Sequence, residues 1–328
     1  MRGILSLLLW IASCTALPVN STADDFASLA FHQRQVPVVE NYFVQLNGTK
    51  LFYRQAGPRD IQAKTILLLH GFPSSSHQFR NLMPLLAAKG YRVLAPDYPG
   101  YGFTVPAPNY VYNFANTADI VDAFTVALGL DKFAIYVHDY GAPTGLRLAL
   151  KQPDKIVGIV SQNGNAYNEG FGAAFWAPIR KYWSTGAQID RDNLRGALEL
   201  NITKWQYING ASKPDKIGPE AYYLDQTLMD RPGNKEIQLD MFYDYRTNLP
   251  LYADFQKYFR TSNVPVLAVW GKNDEIFVPA GAEAFKRDVK RLELALINEG
   301  HFAIETNEYE FAERMDAFFH KFNVFKRC

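Results

Sequence analysis

The chain has 328 residues, 48% of them apolar, with 34 basic side chains set against 33 acidic ones. That composition can fill one large core and is too apolar for a disordered chain. A near-balanced charge without a long Lys/Arg run gives no electrostatic reason to expect a nucleic acid or an anionic membrane surface, so small, mostly uncharged substrates are expected.

In chain order, the first element is Arg2 followed by the apolar run Ile4 to Ala12 and the small residues Cys14 and Ala16. This pattern predicts a secretory signal peptide over residues 1–16, cleaved after Ala16, because the run is too short to span a bilayer. Sequons at Asn20, Asn47 and Asn201 agree with a secretory route and mark candidate glycosylation sites. Cleavage would remove Cys14 and leave Cys328 alone, so no internal disulfide is expected. With no CxxC pair and no His/Cys cluster, no structural zinc site is expected either.

Strands are predicted at Val38 to Gln45 and Leu51 to Gln55, joined by the hairpin signal Asn47-Gly48. Further aliphatic runs follow at Thr65 to His70, Tyr91 to Asp97, Phe133 to Asp139, Ile156 to Asn163, Val264 to Gly271 and Leu292 to Ile297, with helical stretches between them. This is the rhythm of an α/β fold, a mostly parallel central sheet with helices on both faces. The rhythm stops over residues 164–263, where Trp, Tyr, Phe and helix formers dominate, which predicts an inserted helical lid. The core is thus expected in two parts, 17–163 and 264–328. Most lid aromatics are expected to be packing, with a minority lining a pocket.

The most informative window is Ala134-Ile-Tyr-Val-His-Asp-Tyr-Gly-Ala-Pro-Thr-Gly145, an apolar strand that runs into a sharp turn and then a helix. Such an elbow lifts its central side chain above the sheet, which requires small neighbours. The resident is Asp139, and the absence of any G-x-S-x-G argues against a serine esterase. Asp274, in Val269-Trp-Gly-Lys-Asn-Asp-Glu, and His301, in Asn298-Glu-Gly-His-Phe, each follow a later strand. Nucleophile, acid and histidine therefore come in the order this architecture uses. Upstream, His70-Gly71-Phe72-Pro73 would present the Phe72 backbone N–H toward the elbow, where with the Tyr140 N–H it forms an oxyanion hole.

Taken together, HGFP, the segment Asp97-Tyr-Pro-Gly-Tyr-Gly102, VHDYGA, GKNDE and GHF resemble the epoxide hydrolase and haloalkane dehalogenase branch of the α/β-hydrolase superfamily, over nearly the whole chain past the leader. The resemblance implies attack by Asp139 on an sp³ carbon to give an alkyl-enzyme ester. His301, oriented by Asp274, then activates the water that hydrolyses it. A carboxylate is already ionised at neutral pH and needs no base before it attacks. No cofactor or metal is required by these steps; the partners are a small apolar substrate and water.

Dehalogenases of this branch hold the halide with a Trp directly after the nucleophile and often an Asn or Trp elsewhere; here those positions carry Tyr140 and Phe72. Fluoroacetate-type dehalogenases place an Arg near the nucleophile, whereas Arg147 reads as a helix-surface residue. Epoxide opening instead needs a phenol from the lid. The segment Phe242-Tyr-Asp-Tyr-Arg-Thr-Asn248 resembles the family's Tyr-Arg lid motif and makes Tyr245 the candidate. For a second tyrosine the choices are Tyr182 and then Tyr167. Phe171, Trp176 and Trp183 are expected to line an apolar pocket with Phe72 and Tyr140. The alternatives are dehalogenation by the same covalent route and a non-catalytic ligand-binding member of the fold.

Overall fold

A computed structural model describes residues 37–326. The predicted leader, Asn20 and Cys328 lie outside the described residues. Among those residues eight strands form one sheet: β1 (Glu40–Leu46), β2 (Thr49–Ala56), β3 (Thr65–Leu69), β4 (Arg92–Pro96), β5 (Phe133–His138), β6 (Ile156–Gln162), β7 (Val266–Gly271) and β8 (Leu292–Ile297). Their order is β1-β2-β4-β3-β5-β6-β7-β8, with β1 and β2 antiparallel and every pairing from β4–β3 onward parallel.

The strand sequences explain their positions. β3, β4, β5 and β7 are buried at every residue, as continuous aliphatic runs must be when helices cover both faces. β1 alternates half-buried and exposed positions and so takes the edge. Its turn to β2 has positive φ at both Asn47 and Gly48, the geometry that an Asn-Gly pair supports. Along β3 and β5, Ile66, Leu68, Ala134 and Tyr136 point to one face, where they meet α1 (Leu82–Ala88) and the last helix, Ile304–Lys321. Leu67, Leu69, Ile135 and Val137 point to the other, toward α2 (Phe114–Ala127) and α3 (Gly141–Lys151).

Between β6 and β7 the chain forms α4 (Ala173–Thr185), α5 (Gln188–Asn193), α6 (Leu200–Ile208), α7 (Pro219–Met229), α8 (Asn234–Asp244) and α9 (Tyr252–Ser262). Trp176, Leu198, Phe242 and Tyr245 belong to the same apolar cluster as Leu69 and Val137, so this insertion is packed onto the carboxyl end of the sheet and shares its core. Among the described residues no helix is long and apolar enough to cross a membrane.

Candidate active site

β5 ends at His138, and Asp139 follows with φ +50°, a left-handed conformation that a non-glycine residue keeps only where its surroundings over-determine it. α3 starts two residues on, at Gly141. A methyl group on Gly141 would lie 2.1 Å from the Leu69 carbonyl oxygen, and one on Gly71 would lie 2.4 Å from Asp139 Cβ. Both positions need glycine for the loop after β3 to approach the elbow. At that closeness the Phe72 backbone N–H donates to Asp139 Oδ1 at 2.7 Å, and the Tyr140 N–H bonds the same carboxylate. His70 braces the loop: its Nδ1 bonds the Gly71 carbonyl at 3.0 Å and its Nε2 accepts from the Tyr98 N–H at 3.2 Å. Burial drives its pKa to about 4, so this ring stays neutral.

Asp274 and His301 come from the loops after β7 and β8. His301 Nδ1 lies 2.8 Å from Asp274 Oδ2, and Asp274 Oδ1 accepts from the Ile276 N–H at 2.7 Å. Asn163, at the end of β6 with φ +44°, donates from Nδ2 to Asp274 Oδ2 at 2.7 Å and accepts from the Gly271 N–H at 3.0 Å. The acid is thus held by three neighbours. His301 Nε2 is buried and takes no hydrogen bond from the protein, which leaves it available as an acceptor once the ring is neutral.

The two charged groups act on each other. Burial, only partly offset by His301 and by the Phe72 and Tyr140 N–H groups, leaves Asp139 raised to about 6. Burial works against a proton on His301, but the charge and hydrogen bond of Asp274, with Asp139 behind them, leave its pKa raised. A carboxylate that still ionises beside an imidazole held by a second carboxylate is an arrangement suited to nucleophilic attack followed by base-assisted hydrolysis.

Over this rim lies the lid. Tyr245, fully buried after α8, packs on Tyr140 (ring centroids 5.7 Å), Phe114 (5.3 Å), Trp176 (4.8 Å) and Trp183 (6.0 Å). Burial, then Tyr252 and Asp139, hold its phenol well above the usual range, so it is a proton donor at any working pH. Phe72 sits between Tyr140 and Phe242, and Phe171 joins Trp176 and Tyr245. Both indoles packed on Tyr245 spend their N–H on backbone carbonyls, Trp176 on Ile276 at 2.8 Å and Trp183 on Phe242 at 2.6 Å.

Two expected site tyrosines are placed elsewhere. Tyr182 is buried on another side of α4, where its hydroxyl accepts from Arg191 at 3.3 Å and its ring lies on Tyr243 at 4.6 Å. Trp176 and Trp183 are seven residues apart and share one helix stripe, so Tyr182 is about 100° off it. Tyr167 packs on Phe285 at 5.0 Å with the Arg287 guanidinium 5.1 Å from its ring, on the flank toward β7.

Other residues were not read from the sequence. Tyr252, seven positions after Tyr245, brings its hydroxyl to 3.4 Å from the Tyr245 hydroxyl and 3.4 Å from Asn165 Nδ2. Arg147, expected on the helix surface, is half-buried and donates to Asn248 Oδ1 at 2.9 and 3.1 Å and to the Thr247 carbonyl at 3.3 Å, bolting α3 to the turn that carries Tyr245. Asn163 had a readable signal, a polar residue closing an apolar strand next to the Asp139 strand. The partners of Arg147 and Tyr252 are set by lid packing and had none.

Known proteins agree with this architecture. The model of the alpha/beta hydrolase fold family matches residues 64–308. An uncharacterized hydrolase of Saccharomyces cerevisiae is 44% identical over 278 residues, which cover 83% of this chain and 94% of that protein. A haloalkane dehalogenase of Psychrobacter cryohalolentis is 35% identical over 35% of this chain and 37% of its own length, and epoxide hydrolase B of Mycobacterium tuberculosis is 33% identical over 34% and 32%. The crystal structure of epoxide hydrolase VrEH1 from Vigna radiata superposes with a TM-score of 0.69 at 22% identity, over 86% of this chain and 98% of that one, a likeness of fold. The family match across most of the chain, together with a hydrolase alike along nearly its whole length, makes this protein a hydrolase that belongs to the α/β-hydrolase fold family.

Proposed function

We propose that this hydrolase opens epoxides to vicinal diols through a covalent ester on Asp139. Asp139 attacks a ring carbon, the ring C–O bond breaks, and Tyr245 gives its proton to the freed oxygen. Water then bonds to the Asp139 carboxyl carbon while His301 Nε2 takes one of its protons. The two N–H groups of Phe72 and Tyr140 hold the resulting oxyanion. When the bond from that carbon to the former Asp139 oxygen now carried by the substrate breaks, His301 returns the proton to that departing oxygen, and the second water proton replaces the one Tyr245 gave.

The observation that carries the epoxide reading is the division of donors around Asp139. A buried phenol packs on Tyr140, whereas the two lid indoles beside it have their N–H groups tied to carbonyls. An alkoxide needs a proton and a halide needs only N–H donors, so this inventory favours ring opening. Dehalogenation by the same ester is the second reading, supported by the partial likeness to a dehalogenase.

The test is a single turnover in heavy-oxygen water with aryl and alkyl epoxides, run beside haloalkanes. Diol from the epoxides, with label entering Asp139 first, is the expected result. Label passing straight into product would overturn the covalent route, and halide release without diol formation would move the assignment to a dehalogenase.

The predicted leader and the exposed Asn47 and Asn201 support a secretory route. Thr49 and Thr203 of those sequons are buried and hydrogen-bonded, so glycans would have to be added before folding. A mobility shift on endoglycosidase treatment of protein from a eukaryotic host checks this.

A further inference from the structure

The ring of His301 hangs from a backbone that is itself tied down. Its carbonyl oxygen lies 3.1 Å from His138 Nε2 and 3.1 Å from Gln162 Nε2. Gln78 reaches His138 Nδ1 with its amide nitrogen at 3.2 Å, and an amide nitrogen can only donate, so the imidazole proton sits on Nε2 and points at that carbonyl. Tyr136 donates its hydroxyl to Gln162 Oε1, which turns the amide so that its N–H₂ faces His301. All of these side chains are buried, and burial, with His301 next, holds His138 well below its ordinary pKa, so the ring remains a neutral donor. The rings of His138 and His301 also touch, with centroids 4.6 Å apart.

The register of the sheet explains why these residues meet. His138 on β5 stands opposite Gln162 on β6. One step further along the same two strands come Asp139 and Asn163, which are the proposed nucleophile and the partner of the acid. One row of the sheet therefore holds the backbone of the base while the next row holds the nucleophile and Asp274.

We infer that His138 and Gln162 are positioning residues for His301, fixing through its carbonyl the direction in which Nε2 delivers water to the Asp139 ester. This rests on the covalent reading above. Asp274 grips the ring at Nδ1 alone, and a ring held at one atom can pivot; the carbonyl tether supplies the second fixed point. The consequence is confined to one half of the reaction. Ester formation uses Asp139, placed by the Phe72 and Tyr140 N–H groups, and the Tyr245 proton, none of which is held through His301. Ester hydrolysis needs Nε2 in line with a water and the carboxyl carbon, and a misplacement of an ångström in such geometry costs about a hundredfold.

The test is pre-steady-state reaction of an aryl epoxide with the parent, His138→Phe, Gln162→Leu and His138→Gln, with the alkylated Asp139 peptide followed by mass spectrometry. In His138→Phe and Gln162→Leu the ester should form within about threefold of the parent rate and break down about a hundredfold more slowly, so that it accumulates. His138→Gln keeps a donor and should recover most of the loss. Ester breakdown at the parent rate in both donorless variants, or an equal slowing of both steps, would overturn the inference. Should His138→Phe fail to fold, Gln162→Leu decides on the same readout. If the parent forms no ester from any epoxide or haloalkane, the covalent mechanism itself falls, and the positioning role with it.

Discussion

The rim of the sheet and the lid above it build their halves of the site in different ways. On the rim, Asp139, Asp274 and His301 leave the ends of parallel strands, and each is held by short bonds from backbone or from a residue one strand away. Over it, Tyr245 is placed by helix packing, with aromatic faces around it and a single long hydroxyl contact to Tyr252. The contrast teaches that the proposed nucleophile, acid and base rest on elements that cannot shift without breaking the sheet. The proposed proton donor, and with it the proposed choice of leaving group, rests on elements that can be repacked.

The largest effect should come from the rim. His301→Gln should leave ester formation in place while stopping its hydrolysis by about 10⁴-fold or more, so that a stoichiometric Asp139 adduct is seen by intact mass after one turnover. A variant that turned over normally would break the comparison, since the rim would then not carry the hydrolytic step. On the lid, Tyr245→Phe should slow epoxide opening by about 10² to 10³-fold. Tyr182→Phe, on a side of α4 away from the Trp176 and Trp183 stripe, should change the rate by less than about twofold, because it removes only a hydroxyl contact with Arg191. Equal losses in the two variants would mean that the lid acts as packing alone.

The smallest and sharpest effect concerns pH. As the proposed nucleophile Asp139 must be ionised, and burial raises its pKa to about 6, so the rate of ester formation should fall as pH is lowered through that value. The stability contribution of the same group runs the other way. Its folded pKa is raised above the unfolded value, so that contribution is full below the ordinary carboxylate range and is lost as pH rises through about 6. Stopped-flow rates and thermal melts taken between pH 4 and 7 should therefore diverge, and Asp139→Asn should remove this group's part of the difference. Once Asp139 is esterified it no longer raises the pKa of His301, so the hydrolytic step should keep its rate to lower pH than the imidazole of the free enzyme would allow.

The sequence by itself determined the order of strands and helices, the elbow at Asp139 and the loops that carry Phe72, Asp274 and His301. These are local matters: an apolar run ended by a polar residue, a pair of glycines where backbones must touch, and a chain order imposed by parallel strands. Tyr245 was legible through a short motif. Only the tertiary structure decided that Tyr252 and not Tyr182 or Tyr167 stands next to it, that Arg147 bolts the elbow helix to the lid, and that His138 and Gln162 meet at the carbonyl of His301. The reason is geometric. A strand end points its residue by the alternation of the pleat, whereas the partner of a buried side chain on a helix or a neighbouring strand depends on how distant elements pack, which residue spacing along one chain does not encode.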